Sequence, residues 1–217
     1  MSRLARRNFL GMAATAAIAT NVPRTAAAAP EEFAPETPDT ARNRIQRQHL
    51  PNLPLVTHDG KEVRFYDDLI KGKVVMLNFF YALCGDVCPL VTANLVEVQK
   101  LLGDQVGRDV FMYSFTLKPE ADDVMAIQYY RETFGAGPGW TFLTGKPGDI
   151  EILRRAIGFT NPNPAVDKDT TQHIGNVRYG NEPLMLWAAC PGMANPSFIA
   201  ESIAWMIRPE TNRVQPP

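Results

Sequence analysis

The chain has 217 residues, 45% of them hydrophobic and 21% charged, with 22 basic and 23 acidic side chains. This is a globular composition with apolar material for one sizeable core, which excludes a fibrous or low-complexity chain. No basic excess points to nucleic acid.

Met1 to Ala28 stands apart from that core. Arg3, Arg6 and Arg7 precede a weakly apolar run, Phe9 to Thr20, and an Ala-rich tract follows; this is the order of regions in an export signal. Arg6-Arg7-Asn8-Phe9-Leu10 resembles the twin-arginine export motif, and Ala26-Ala27-Ala28 offers small residues for cleavage. The apolar run falls short of the ~20 residues of a spanning helix, so membrane contact is expected only through an uncleaved N-terminus. The expectation is a periplasmic protein with a signal peptide at 1–28, a disordered tether at 29–50, a folded domain at 51–208 and a tail at 209–217. Beyond the signal the chain carries 18 basic and 23 acidic residues.

Pro30 to Asp39 is rich in Pro, Glu and Ala, and Thr40 to Leu50 is polar and basic, the composition of a tether. Leu55 to Thr57 and Glu62 to Phe65 flank His58-Asp59-Gly60, which predicts a β-hairpin with His58 as a solvated turn residue. Val74 to Phe80 is apolar nearly throughout, as in a central strand covered on both faces. Just past it comes Cys84-Gly85-Asp86-Val87-Cys88-Pro89. Pro89 suits the first position of a helix that shows Leu95, Val98, Leu101 and Leu102 on one face and ends at Gly103.

A second buried strand is predicted at Val110 to Phe115, then a helix from about Asp122 ending at Gly135. Trp140 to Leu143 reads as a short strand and Asp149 to Ile157 as a short helix. Gly175 to Tyr179 and Leu184 to Ala189 read as paired strands, and Asn195-Pro196 starts a last helix to about Ile207. The fold class is α/β: a mixed sheet flanked by helices, with an added N-terminal β-hairpin.

The two cysteines carry the chemistry. A thiolate at a helix N-terminus is stabilised by the helix dipole and free amide donors, which makes it both a better ligand and a better nucleophile. Disulfide oxidoreductases built on such a junction usually have two residues between the cysteines; three here give both sulfurs room to converge on a metal. Two thiolates suit Cu(I), and an added imidazole makes a set that also holds Cu(II). Of the three histidines, His49 lies in the tether and His58 in the turn, leaving His173, after a polar loop from Asn161 to Asp169. Asp86 reads either as a carboxylate at a helix N-terminus or as a residue adjusting the site. Cys190 reads as a buried, inert thiol, with Cys190-Pro191-Gly192-Met193 a weaker source of two soft ligands.

A thiol pair after a buried strand and a lone histidine before a late strand resemble the SCO/SenC family of copper-binding thioredoxin-like proteins, over roughly Pro51 to Ile207. Cys84, Asp86, Cys88 and Pro89 coincide with its C-P-D-x-C-P pattern and His173 with its single histidine ligand. The resemblance implies a thioredoxin-like fold and copper held by Cys84, Cys88 and His173. It also implies exchange with a copper donor or a recipient cuproprotein, such as the cytochrome c oxidase subunit with the binuclear copper centre. Gly85 departs from the pattern's proline, and Thr116-Leu117-Lys118-Pro119-Glu120 stands where the family often has V-D-P-E-R. A thiol-disulfide oxidoreductase acting through Cys84 and Cys88 is the alternative from another class. Peroxidase activity is a third, without a family-specific signature around Cys84.

Overall fold

The structure, a computed structural model, describes residues 40–169 and 175–207. His173, the signal region, the first half of the expected tether and the C-terminal tail lie outside the described residues.

Three parallel strands form the centre of a seven-stranded mixed sheet of order β2-β1-β5-β4-β3-β6-β7. They are β3 (Val74–Phe80), β4 (Val110–Thr116) and β5 (Trp140–Thr144). The predicted hairpin, β1 (Pro54–Thr57) and β2 (Glu62–Arg64), pairs antiparallel with β5 on one side. On the other, β6 (Asn176–Asn181) and β7 (Leu186–Pro191) continue antiparallel from β3.

Alternation along β3 divides the core in two. Met76 and Phe80 face α2 (Val87–Leu102), α3 (Val124–Phe134) and α6 (Pro196–Ile207). Val75, Leu77 and Phe79 face the hairpin and α4 (Pro147–Ala156). Both sides of β3 are therefore dry, which is why its sequence shows no polar alternation. Phe80 anchors the first layer, its ring 4.8 Å from Tyr130 and 5.1 Å from Phe142. A backbone crossing fixes the far end of the central strands. A Cβ on Gly139, whose φ is +79°, would lie 2.5 Å from the Gly107 nitrogen, so only glycine fits.

Several local features differ from the sequence reading. The stretch read as tether carries α1 (Ala41–His49), capped by the Thr40 hydroxyl, which accepts the Asn43 N–H at 3.2 Å. Its polarity has a distant cause. Glu182 is a buried carboxylate that takes the Arg42 guanidinium at 2.6 Å, the Gly72 N–H at 2.7 Å and the Tyr66 hydroxyl at 3.0 Å. His58 is half-buried rather than a solvated turn residue. Its backbone N–H donates to the Phe142 carbonyl, and its Nδ1 accepts the Phe142 N–H at 3.3 Å. Burial, helped by the nearby Arg131 charge, lowers its pKa. The polar loop contains a turn of helix, α5 (Pro164–Asp167), pinned by a bidentate pair from Arg154 to Asp167 at 2.7 and 3.0 Å.

Candidate functional site

Strands β3 and β4 end together, with Phe80 opposite Thr116 and the Leu117 N–H donating to the Phe80 carbonyl at 2.7 Å. Two loops diverge there, one running to Cys84 and the other to Asp122. The first turns sharply, the Cys84 N–H returning to the Tyr81 carbonyl at 3.2 Å. Helix α2 begins at Val87, two residues earlier than Pro89 predicts, so Cys88 stands in its first turn. Asp86 occupies the N-cap position, yet its side chain makes no capping hydrogen bond. The exposed segment around it leaves backbone amides to serve the sulfur instead.

The two thiols differ in environment. Cys88 is 2% exposed beneath the loop, while Cys84, 6% exposed, follows Leu83, which is 88% exposed. Burial opposes ionisation of Cys84, but hydrogen bonds outweigh it. The Tyr81 hydroxyl, the N–H groups of Asp86 and Cys88 and the Cys88 thiol all donate to its sulfur, holding its pKa below the ordinary thiol value. Cys88 is pushed the other way by burial, by donating to Cys84, and by the negative charges of Cys84 and Asp122. Tyr81 is raised because its hydroxyl is committed to Cys84 and is itself buried. Lys118, in the segment where the family pattern carries an aspartate, sits with Nζ 4.1 Å from the Tyr81 ring centroid. In the reduced protein Cys84 is therefore the thiol expected to react first with iodoacetamide, with a midpoint below the ordinary thiol pKa. Peptide mapping after brief alkylation checks this, and equal labelling of Cys88 would contradict it.

Asp122 is the residue that the sequence reading missed. Its carboxylate, on a residue 2% exposed, accepts the Ala82 N–H at 3.0 Å and the Thr116 hydroxyl. Its own carbonyl accepts the Thr144 hydroxyl at 2.9 Å. It thus joins the cysteine loop to β4 and β5. A signal for it was present: two acids, Asp122 and Asp123, directly precede α3, and Asp123 alone caps the helix, accepting the Ala126 N–H at 2.8 Å. The other acid was surplus to capping.

Cys190 lies on β7 opposite Val177 and is buried in the same apolar layer as Cys84 and Cys88; burial raises its pKa. Met193 is half exposed on the following turn, whereas Cys190 is buried. That turn has another use. Asn94 donates to the carbonyls of Gly192 and Ala194, both at 2.8 Å, and the Gly192 N–H donates to the Gly175 carbonyl at 2.7 Å. Gly175 in turn sits against Val87 and Val91, where a Cβ would come within 3.0 and 3.4 Å of them.

All three cysteines are free thiols. Among the described residues no cluster of three or more His, Cys, Asp or Glu is arranged to hold a metal, and no helix is long and apolar enough to cross a membrane. The structure brings Cys84 and Cys88 together; His173 lies outside the described residues.

A buried-strand, dithiol, helix junction on a mixed sheet defines a thioredoxin-like protein. The SCO1/SenC family profile matches residues 42–208, and the chain belongs to that family. It is 32% identical over 88 residues to the SCO1 protein homolog of Bacillus subtilis, an alignment spanning 40% of this chain and 44% of that protein. Among solved structures it resembles Arabidopsis thaliana ScoI with copper bound, at TM-score 0.57 and 22% identity over 72% of this chain and 96% of that one. It also resembles BsSco, a member of the Sco family of cytochrome c oxidase assembly proteins, at TM-score 0.59 and 22% identity over 74% and 94% of the two chains. These likenesses show a shared fold.

Proposed function

We propose that this protein is a periplasmic copper metallochaperone, in which Cys84, Cys88 and His173 take the ion and pass it by ligand exchange to a cuproprotein. The carrying observation is the thiol pair at the start of α2, one sulfur held ready to ionise and the other buried beside it. Such soft, closely spaced donors fit copper(I), and an imidazole extends the set to copper(II). Supporting a place for His173, Gly175 two residues further on packs against Val87 and Val91, next to Cys88. Copper bound by the Arabidopsis relative and the oxidase-assembly role of the Sco family point to the binuclear copper centre of cytochrome c oxidase as recipient. The Arg6-Arg7 motif supports export.

The test is a copper titration of the reduced protein followed by optical spectroscopy. Wild type is expected to take one equivalent; His173→Ala is expected to keep copper(I) and lose the sulfur-to-copper(II) absorption. Unchanged copper(II) binding in His173→Ala would sink the three-ligand assignment.

The asymmetry of the thiols also favours a second reading, a thiol-disulfide oxidoreductase. The Cys84 thiolate would attack a partner disulfide, Cys88 would resolve the mixed disulfide, and the pair would end oxidised while the partner gains two thiols. Disulfide reduction that survives His173→Ala would favour it over copper transfer.

A further inference from the structure

On the sheet face opposite the thiols, a cavity of about 160 Å³ lies between α1, the end of α4 and strands β3, β6 and β7. Leu77, Ile157 and Trp187 give it apolar walls, and Ile45 and Leu50 of the α1 region cover it. The lid is held in place, since the His49 ring meets the Ala156 carbonyl at 3.3 Å and the Arg42 to Glu182 pair secures the start of α1.

One wall residue is out of keeping with the rest. Arg178 pairs across the sheet with Leu77, on a face otherwise given to Val75, Leu77 and Phe79. A guanidinium has five N–H donors. Among the described residues its one hydrogen bond goes from Nη2 to the Gly158 carbonyl at 3.0 Å, and its one ring contact is Phe159 at 5.8 Å. No described carboxylate pairs with it, whereas Arg154 on neighbouring α4 has two. The other Arg178 donors are not shut away from solvent, so a half-buried cation at the rim of an apolar cavity stays open to an approaching anion. Met185, which lines the same cavity, closes the β6–β7 hairpin turn with φ at +52° and its N–H on the Glu182 carbonyl at 2.9 Å, and so fixes that edge of the cavity.

We infer that this cavity is a binding site for a small organic carboxylate, its flat or short apolar body between Leu77, Ile157 and Trp187 and its carboxylate on Arg178. Size supports the assignment, because a cavity of about 150 Å³ with apolar walls accommodates benzene. So does charge, because a guanidinium and a carboxylate match in geometry and sign. The site is separate from the thiols and stands or falls without them.

The experiment is an NMR titration of the full chain with benzoate and with benzyl alcohol, its neutral counterpart, following the Trp187 indole N–H assigned through Trp187→Phe. Wild type is expected to show saturable shifts with benzoate at millimolar concentrations and about tenfold weaker binding of benzyl alcohol, as one charge-assisted contact implies. Arg178→Met is expected to reduce benzoate binding about tenfold, to the level of benzyl alcohol, and to leave benzyl alcohol unchanged. Ala156→Leu, which fills the cavity and keeps the charge, is expected to abolish both. No saturable shift in wild type, or benzoate binding unchanged in Arg178→Met or in Ala156→Leu, overturns the inference; should Arg178→Met not fold, Ala156→Leu decides alone.

Discussion

Cys84→Ala and Cys88→Ala are each expected to lower copper(I) affinity by more than about a hundredfold in competition with a chelator. Loss of a residue that merely orients a ligand costs ten- to a hundredfold, and removing the ligand exceeds it. The two variants should nevertheless differ. Cys88→Ala keeps the thiol whose pKa is held low by Tyr81 and the loop amides. Cys84→Ala keeps the thiol that burial holds protonated, so a proton must leave before copper binds. Removing Cys84 takes away two of the influences that raise Cys88, the hydrogen bond to the Cys84 sulfur and the Cys84 charge, but not the largest, which is burial. At neutral pH Cys84→Ala is therefore expected to bind more weakly than Cys88→Ala, with an affinity that climbs more steeply as pH rises. Wild-type affinity in either variant would rule out a shared thiolate site.

Asp122→Ala is expected to destabilise the fold by roughly 3 kcal/mol, because it strands the Ala82 N–H and the Thr116 hydroxyl inside the protein at about 1–3 kcal/mol each. For a chain of this length that is a fall in Tm of roughly 6–12 °C. Asp122→Asn, which keeps an acceptor, should lose less than half as much. The carboxylate is also one of the charges that raise Cys88, after burial and the bond to Cys84. Its removal should bring the Cys88 pKa down and make Cys88 easier to alkylate. Calorimetry and peptide mapping check the two effects, and a variant as stable as wild type would show that Asp122 is not the tie between the loops.

Much of this architecture was legible because it rests on local signals. The continuous apolar runs marked β3 and β4, Asp59-Gly60 marked the hairpin, and Gly103 and Gly135 marked where α2 and α3 stop. What escaped depended on distant partners. Arg42 and Glu182 are 140 residues apart in sequence, so the first looked like a tether cation and nothing local marked the second as its partner. That Cys84 and Cys88 lie side by side followed from spacing alone. Their unequal acidity did not, since it comes from the depth of Cys88 and from Tyr81 folding back on Cys84. Asp122 needed the register of β3 on β4, which brings Thr116 beside the start of the cysteine loop.

The layering of Cys84 above Cys88 also bears on damage by peroxide. The more acidic thiolate is the one that hydrogen peroxide would oxidise to a sulfenic acid, the expelled hydroxide taking up a proton to leave as water. Left alone, that group proceeds to sulfinic and sulfonic acids that are not readily reversed. Here the neighbouring Cys88 thiol already donates a hydrogen bond to the Cys84 sulfur. It is placed to condense with the sulfenic acid, releasing a second water and leaving a disulfide that a reductant restores. The deeper thiol thus doubles as a safeguard for the more acidic one.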